Sequence, residues 1–139
     1  MTACVIDAST VAAALFEEDH ADRARWLLRC GQPLQAPDLI FVELASVIWK
    51  RHRRGEIDID GAHYVLAGTL RLPLRTTLCT DLVAPALELA LSTGRSVYDC
   101  LYVALAMRSE APVITADKRL VNALANTPLA RHVKWIGAV

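Results

Sequence analysis

The run Ala3-Cys4-Val5-Ile6 carries an apolar side chain at every position and stops at Asp7, too short for a helix. A continuous run of that length suits a strand covered on both faces, the condition of strands in a parallel sheet. Short strand-like runs recur at 34–36, 73–76, 112–115 and 133–136, and helical patterns fill the intervals. Strands that alternate with helices predict an α/β fold, a parallel sheet with helices on both faces and right-handed crossovers. The count is about five strands and six or seven helices. Ser9 or Thr10 can cap the first helix, which runs through Phe16. Further helices span about 19–30, 38–53, 58–70, 81–93, 98–108 and 118–125, and Gly31 and Gly55 are placed to stop two of them.

A chain of 139 residues fits one domain, here 1–139. Its composition, 54% hydrophobic and 22% charged, supplies a core and lacks the signature of disorder. Fifteen basic residues balance fifteen acidic ones, so net charge selects no partner, and any nucleic-acid surface must come from local clustering. No apolar stretch reaches the ~18 residues of a membrane span. The first residues carry no basic segment before the apolar run, so neither a membrane span nor a signal peptide is expected. Cys4, Cys30, Cys79 and Cys100 form no C-x-x-C pair and read as small hydrophobes in a reducing, cytoplasmic setting.

Four acids fall where such a sheet gathers ligands. Asp7 ends the first run, Asp117 follows the run 112–115 by two residues, and Glu43 and Asp99 lie near the starts of two helices. Strand C-termini and helix N-termini share one edge of an open α/β sheet, the edge that binds ligands. Two unit charges ~4 Å apart at an effective dielectric near 20 repel by about 4 kcal/mol. A domain holds only ~5–15 kcal/mol of net stability. Four gathered carboxylates therefore need a proton or a cation, and hard divalent cations take oxygen ligands. Each acid also has a plain reading. Asp7 and Asp117 can cap helices, and Glu43 can answer a helix dipole. Asp99 is the hardest to explain plainly, because the helix around it is apolar almost all round.

The segments Val5-Ile6-Asp7-Ala8-Ser9, Ala36-Pro37-Asp38 leading to Val42-Glu43-Leu44-Ala45, Ser96 through Ala106, and Thr115-Ala116-Asp117 stand in an order that resembles a PIN domain. Within that group the chain is similar to the VapC-type toxins of bacterial toxin–antitoxin pairs. The resemblance covers nearly the whole chain. It implies a five-stranded parallel sheet and a metal-dependent endoribonuclease, with Asp7, Glu43, Asp99 and Asp117 as the acidic quartet. Ser9 and Thr115 match hydroxyl residues that support it. The implied cofactor is Mg²⁺ or Mn²⁺, which would activate water against an RNA phosphodiester. Asp7 and Asp99 are implied as direct ligands. Asp117 would ligate a second ion or act through water, and Glu43 would ligate or orient the attacking water. The implied partners are an RNA substrate, a small cognate antitoxin and a second copy in a homodimer.

The one basic cluster is Lys50-Arg51-His52-Arg53-Arg54. Cations at a helix C-terminus complement its dipole, and the same side chains suit phosphate contacts. Arg71, Arg75 and Arg95 can extend such a surface. Val11, Leu15, Phe16, Leu27 and Trp49 can supply an apolar groove for the antitoxin. Trp26, Trp49 and Trp135 fall on apolar patterns and read as core or interface. The four histidines match no zinc spacing.

Two enzymatic rivals fit poorly. A phosphoaspartyl phosphatase wants an acid two residues after Asp7, where Ser9 stands, and a receiver domain wants an acidic pair after the first strand. A module that grips antitoxin or RNA without turnover is the rival from another class. A PIN nuclease outside toxin–antitoxin systems is the nearer alternative.

Overall fold

A computed structural model of the chain describes residues 2–139. Strands β1 (Cys4–Ile6), β2 (Leu34–Pro37), β3 (Leu74–Thr77), β4 (Val113–Thr115) and β5 (Val133–Trp135) form one sheet in the order β3-β2-β1-β4-β5. Every neighbouring pair is parallel. All of β1 is buried, which requires cover on both faces of the sheet. The edge strands β3 and β5 carry Arg75 and Lys134 at solvent, as an unpaired strand edge favours.

The helices are α1 (Ala8–Leu15), α2 (Ala21–Arg29), α3 (Leu39–Arg53), α4 (Ile59–Leu70), α5 (Val83–Thr93), α6 (Val97–Ser109) and α7 (Lys118–Leu124). Helix α6 packs on β1, β2 and β4 with α5 against it, while α1 packs on β4 and α3 on β2. Residues 100–106 are buried all round, so α6 is the central helix its apolar sequence predicts. None of these helices is long and apolar enough to cross a membrane.

From β1 the chain first builds β2 and β3 on one side, then crosses to β4 and β5 on the other. That reversal opens a crevice at the C-terminal edges of β1 and β4, the usual ligand position in open parallel sheets. The cap of α1 differs from expectation: the Asp7 carboxylate itself accepts Thr10 N–H, at 3.1 Å. Thr10 instead donates its hydroxyl to the Ile114 carbonyl at 2.9 Å, pinning α1 to β4. Asp38 makes no side-chain cap on α3, because its carboxylate accepts Cys79 N–H at 2.9 Å. That bond ties the end of β2 to a 3-10 turn at Cys79–Asp81, so α5 starts only at Val83. Gly94, at φ 75°, then ends α5 in the left-handed conformation and turns the chain into α6.

Val11 and Leu27 lie in the core and leave the expected antitoxin groove. Trp26 and Trp49 are 60% and 54% exposed, so neither is a core residue. All four cysteines are free thiols, and burial pushes the Cys4 thiol up to about 11, in keeping with an inert packing role.

Candidate active site

Asp7 sits where β1 hands over to α1, buried, with three donors on its carboxylate: Ser9 hydroxyl at 2.7 Å, Thr115 hydroxyl at 2.5 Å and Thr10 N–H at 3.1 Å. Burial raises its pKa and the donors pull the other way; the net direction is up. Thr115 hydroxyl also accepts Asp117 N–H at 3.0 Å, and Ser9 hydroxyl accepts Ala116 N–H at 3.0 Å. The two hydroxyls thus hold the ends of β1 and β4 together around one carboxylate.

Glu43 stands one turn into α3, half-buried, and accepts the Tyr102 hydroxyl at 2.5 Å. Burial raises its pKa, the Tyr102 bond opposes this, and the nearby Asp7 and Asp99 carboxylates raise it further. Burial and the Glu43 carboxylate push the Tyr102 phenol far above its ordinary range, so it stays a donor. Asp99 lies in the first turn of α6, where Ser96 hydroxyl accepts its N–H at 3.1 Å. It is half-exposed at the end of the helix and not lodged in the apolar interior, and Arg95 pairs with it at 3.1 Å. Asp117 caps α7 by accepting Arg119 N–H at 3.0 Å, and the Arg119 guanidinium stands 3.5 Å away.

Asp7 and Asp99 each lie near enough to Glu43 to raise its pKa, and Asp117 joins Asp7 through Thr115. Among the described residues no salt bridge involves Asp7 or Glu43. Nor do three Asp, Glu, His or Cys side chains stand in a ready-made metal cage among them. The donor chemistry nevertheless fits a hard divalent cation. It is all oxygen, it is anionic, and two of its carboxylates lack any counter-cation. Arginines offset the other two.

Ser9 and Ala116 also border a cleft of about 720 Å³ whose other walls include Lys50, Arg51, Arg54 and Lys118. Arg51 is spoken for: it pairs with Glu18 and Glu56, each at 3.0 Å, and lies over the Phe16 ring at 4.6 Å. Arg53 stacks over Trp49 at 4.8 Å. Lys50 and Arg54 are exposed and appear in no salt bridge among the described residues. Of the expected basic row, Lys50, Arg51 and Arg54 line the cleft, and Arg51 is held there by its two ion pairs. Arg95 serves Asp99 and adds nothing to that surface. Sequence reasoning missed Tyr102 and Lys118, although Tyr102 lies one helical turn from Asp99 and Lys118 directly follows Asp117.

The model of the PIN domain family matches residues 4–125. The chain is a PIN domain. Ribonuclease VapC3 of Pyrobaculum aerophilum is 33% identical to it over 118 residues, 84% of this chain and 90% of that protein. The expected kinship with VapC-type members therefore holds. Among solved structures, PAE2754 of Pyrobaculum aerophilum superposes with a TM-score of 0.70 at 22% identity, covering 99% of this chain and 85% of that one. A chain of a toxin–antitoxin complex from Klebsiella pneumoniae gives 0.60 at 14% identity, covering 94% and 95%. These two likenesses bear on the fold, a single α/β domain with five parallel strands.

Proposed function

We propose that the whole chain, 1–139, is a Mg²⁺- or Mn²⁺-dependent endoribonuclease that hydrolyses RNA phosphodiester bonds in the cytoplasm as the toxin of a toxin–antitoxin pair. One observation carries this reading. Asp7 and Glu43, held by hydroxyl donors and lacking a counter-cation, sit at the switch edge of the sheet beside a cleft that presents Lys50, Arg54 and Lys118. Anionic oxygens beside cations suit a phosphodiester and the ion that assists its hydrolysis.

A bound divalent ion would supply water activation and neutralise charge at the phosphate. The chain's own residues supply the rest. Asp7 and Asp99 would hold the ion, Asp117 would hold a second ion or act through water, and Glu43 would ligate or orient the attacking water. Ser9 and Thr115 fix the Asp7 carboxylate by hydrogen bonds to both its oxygens. Tyr102 fixes one oxygen of Glu43 and leaves the other for an ion or a water proton. Lys50, Arg53 and Arg54, all exposed, would steady the RNA backbone, with Arg51 held beside them by its ion pairs.

The antitoxin reading rests on the kinship with VapC3 and on an apolar groove of about 200 Å³ between α3 and α4, lined by Ile48, Trp49, Ile59 and Leu66. Homodimerisation rests on Val83, Leu87 and Leu91, which leave an apolar stripe exposed on α5 at i, i+4, i+8 spacing.

The test is cleavage of RNA by the purified protein with Mg²⁺ or Mn²⁺, followed by mapping of the new ends. Chelator and Asp99→Asn should each abolish the cuts. Full-rate cleavage with chelator would sink the metal role, and tight RNA binding without turnover would favour the binding module.

A further inference from the structure

The cleft has an end that the catalytic reading leaves unused. Trp135 closes β5, and its register partner in β4 is Thr115, the residue whose hydroxyl holds Asp7. The Trp135 backbone therefore stands one strand spacing, ~4.8 Å, from that of Thr115. The position of the indole is fixed from several sides. A Cβ at Gly137 would come within 2.4 Å of the indole's six-membered ring, so only glycine lets the ring lie there. The His20 ring meets it edge-on at 5.1 Å and 85°. The Lys118 ammonium rides over the indole, 4.4 Å from the ring centroid. Lys118 is exposed, Trp135 is only half-buried, and all three line the same cleft as Ser9 and Ala116.

Trp135 packs against the core and still presents its ring to the cleft, where the exposed Lys118 covers it. An aromatic ring and a cation thus sit together on a wall of the cleft that Ser9, a hydrogen-bond partner of Asp7, also lines. Sites for single-stranded nucleic acid are built in this way, with a ring for the base and a cation for the backbone. The cleft volume lies within the ~300–1,000 Å³ of ordinary ligand pockets.

We propose that Trp135 and Lys118 form a nucleotide subsite next to the scissile phosphate. One unpaired RNA base stacks on the indole face that the Lys118 ammonium now covers, and the ammonium swings off the ring to the adjoining phosphate. The subsite demands that this base be out of a duplex, and it selects through stacking rather than base-edge hydrogen bonds. This inference rests on the ribonuclease reading for the identity of its ligand, but its binding step needs no cleavage.

The test uses a short single-stranded RNA in which each position in turn is made abasic. Binding is measured by fluorescence anisotropy with chelator present, and cleavage is measured with Mn²⁺. For the wild-type protein one abasic position should weaken binding about tenfold. That penalty should persist in Trp135→Phe and vanish in Trp135→Leu. Lys118→Gln should lower the slope of log affinity against log salt by about 1. The wild-type scan and the exposed Lys118 variant keep the proposal testable if Trp135→Leu does not fold. No position-specific penalty, or an equal penalty in Trp135→Leu, overturns the subsite. RNA cut without that penalty leaves the ribonuclease reading standing and the subsite refuted. RNA bound with the penalty but uncut does the reverse, and an RNA neither bound nor cut refutes both.

Discussion

Asp7 serves fold and site with one carboxylate. One oxygen caps α1 and takes the Ser9 hydroxyl, and the other takes the Thr115 hydroxyl. The group is buried without a cation, and burial raises its pKa, so the ionised form is strained at neutral pH. Such strain is the usual conflict between a site and the stability of its fold. Asp7→Asn should therefore raise the metal-free melting temperature at neutral pH by a few degrees, the shift that roughly 1 kcal/mol gives a domain of this size. Asparagine still caps the helix. The same variant should not cleave RNA. A thermal melt beside a gel assay reads both, and a lowered melting point would mean that the ionised carboxylate is well compensated. Asp7 was legible in the sequence because it ends a run that has to be buried. Tyr102 was not, because a tyrosine in an apolar helix reads as core. Its partner Glu43 lies 59 positions away, and only the fold brings them together.

At the scale of elements, α6 delivers Asp99 and α3 delivers Glu43 and the basic row. Ser96 caps α6 through the N–H of Asp99 itself, so the cap and the site share a residue. Ser96→Ala should destabilise the protein by about 1 kcal/mol, typical for loss of a serine cap. Fraying of that first turn should also lower the cleavage rate while leaving RNA affinity in chelator unchanged. Denaturant midpoints and single-turnover rates separate the two effects, and a normal rate would mean that Arg95 alone positions Asp99. Helix α6 was readable from its own apolar residues. The row on α3 was readable only as charge. That Arg51 is held while Lys50, Arg53 and Arg54 stay exposed depends on Glu18, Glu56 and Phe16, all in other segments. The start of α5 was misjudged by two residues because the bond from Cys79 to Asp38, 41 positions away, holds a 3-10 turn in front of it.

For the molecule as a whole, strand number and parallel pairing followed from the apolar runs, and so did the position of β1, whose residues have no polar face to expose. The edge positions of β3 and β5 agree with Arg75 and Lys134 in hindsight, but one charge per short strand is too weak a signal to order a sheet. Zero net charge also concealed local clustering, with four acids at the switch edge and Lys50, Arg51, Arg54 and Lys118 beside Glu18 and Asp19 in the adjoining cleft. The shifted carboxylates set the pH response. Asp7 and Glu43 have folded pKa values above their unfolded ones. From the ordinary carboxylate value upward, the folded state keeps protons that the unfolded state has lost, so their contribution to stability falls as pH rises through that window. Asp38 is shifted down, chiefly by its hydrogen bond from Cys79, and its contribution is lost only as pH falls below the ordinary value. Between mild acid and neutrality Asp7 and Glu43 therefore cost the metal-free protein stability, while His132, whose pKa is lowered by burial and by Arg131, acts in the opposite sense. A divalent ion replaces the protons, so Mn²⁺ should raise the melting temperature at pH 7 and much less at pH 4.5, where binding must displace them. At an ion concentration 100 times its Kd the gain at pH 7 is about 2.7 kcal/mol. Melting curves at the two pH values, with Mn²⁺ and with chelator, read this directly. An Mn²⁺ shift of equal size at both would show that the ion binds away from Asp7 and Glu43.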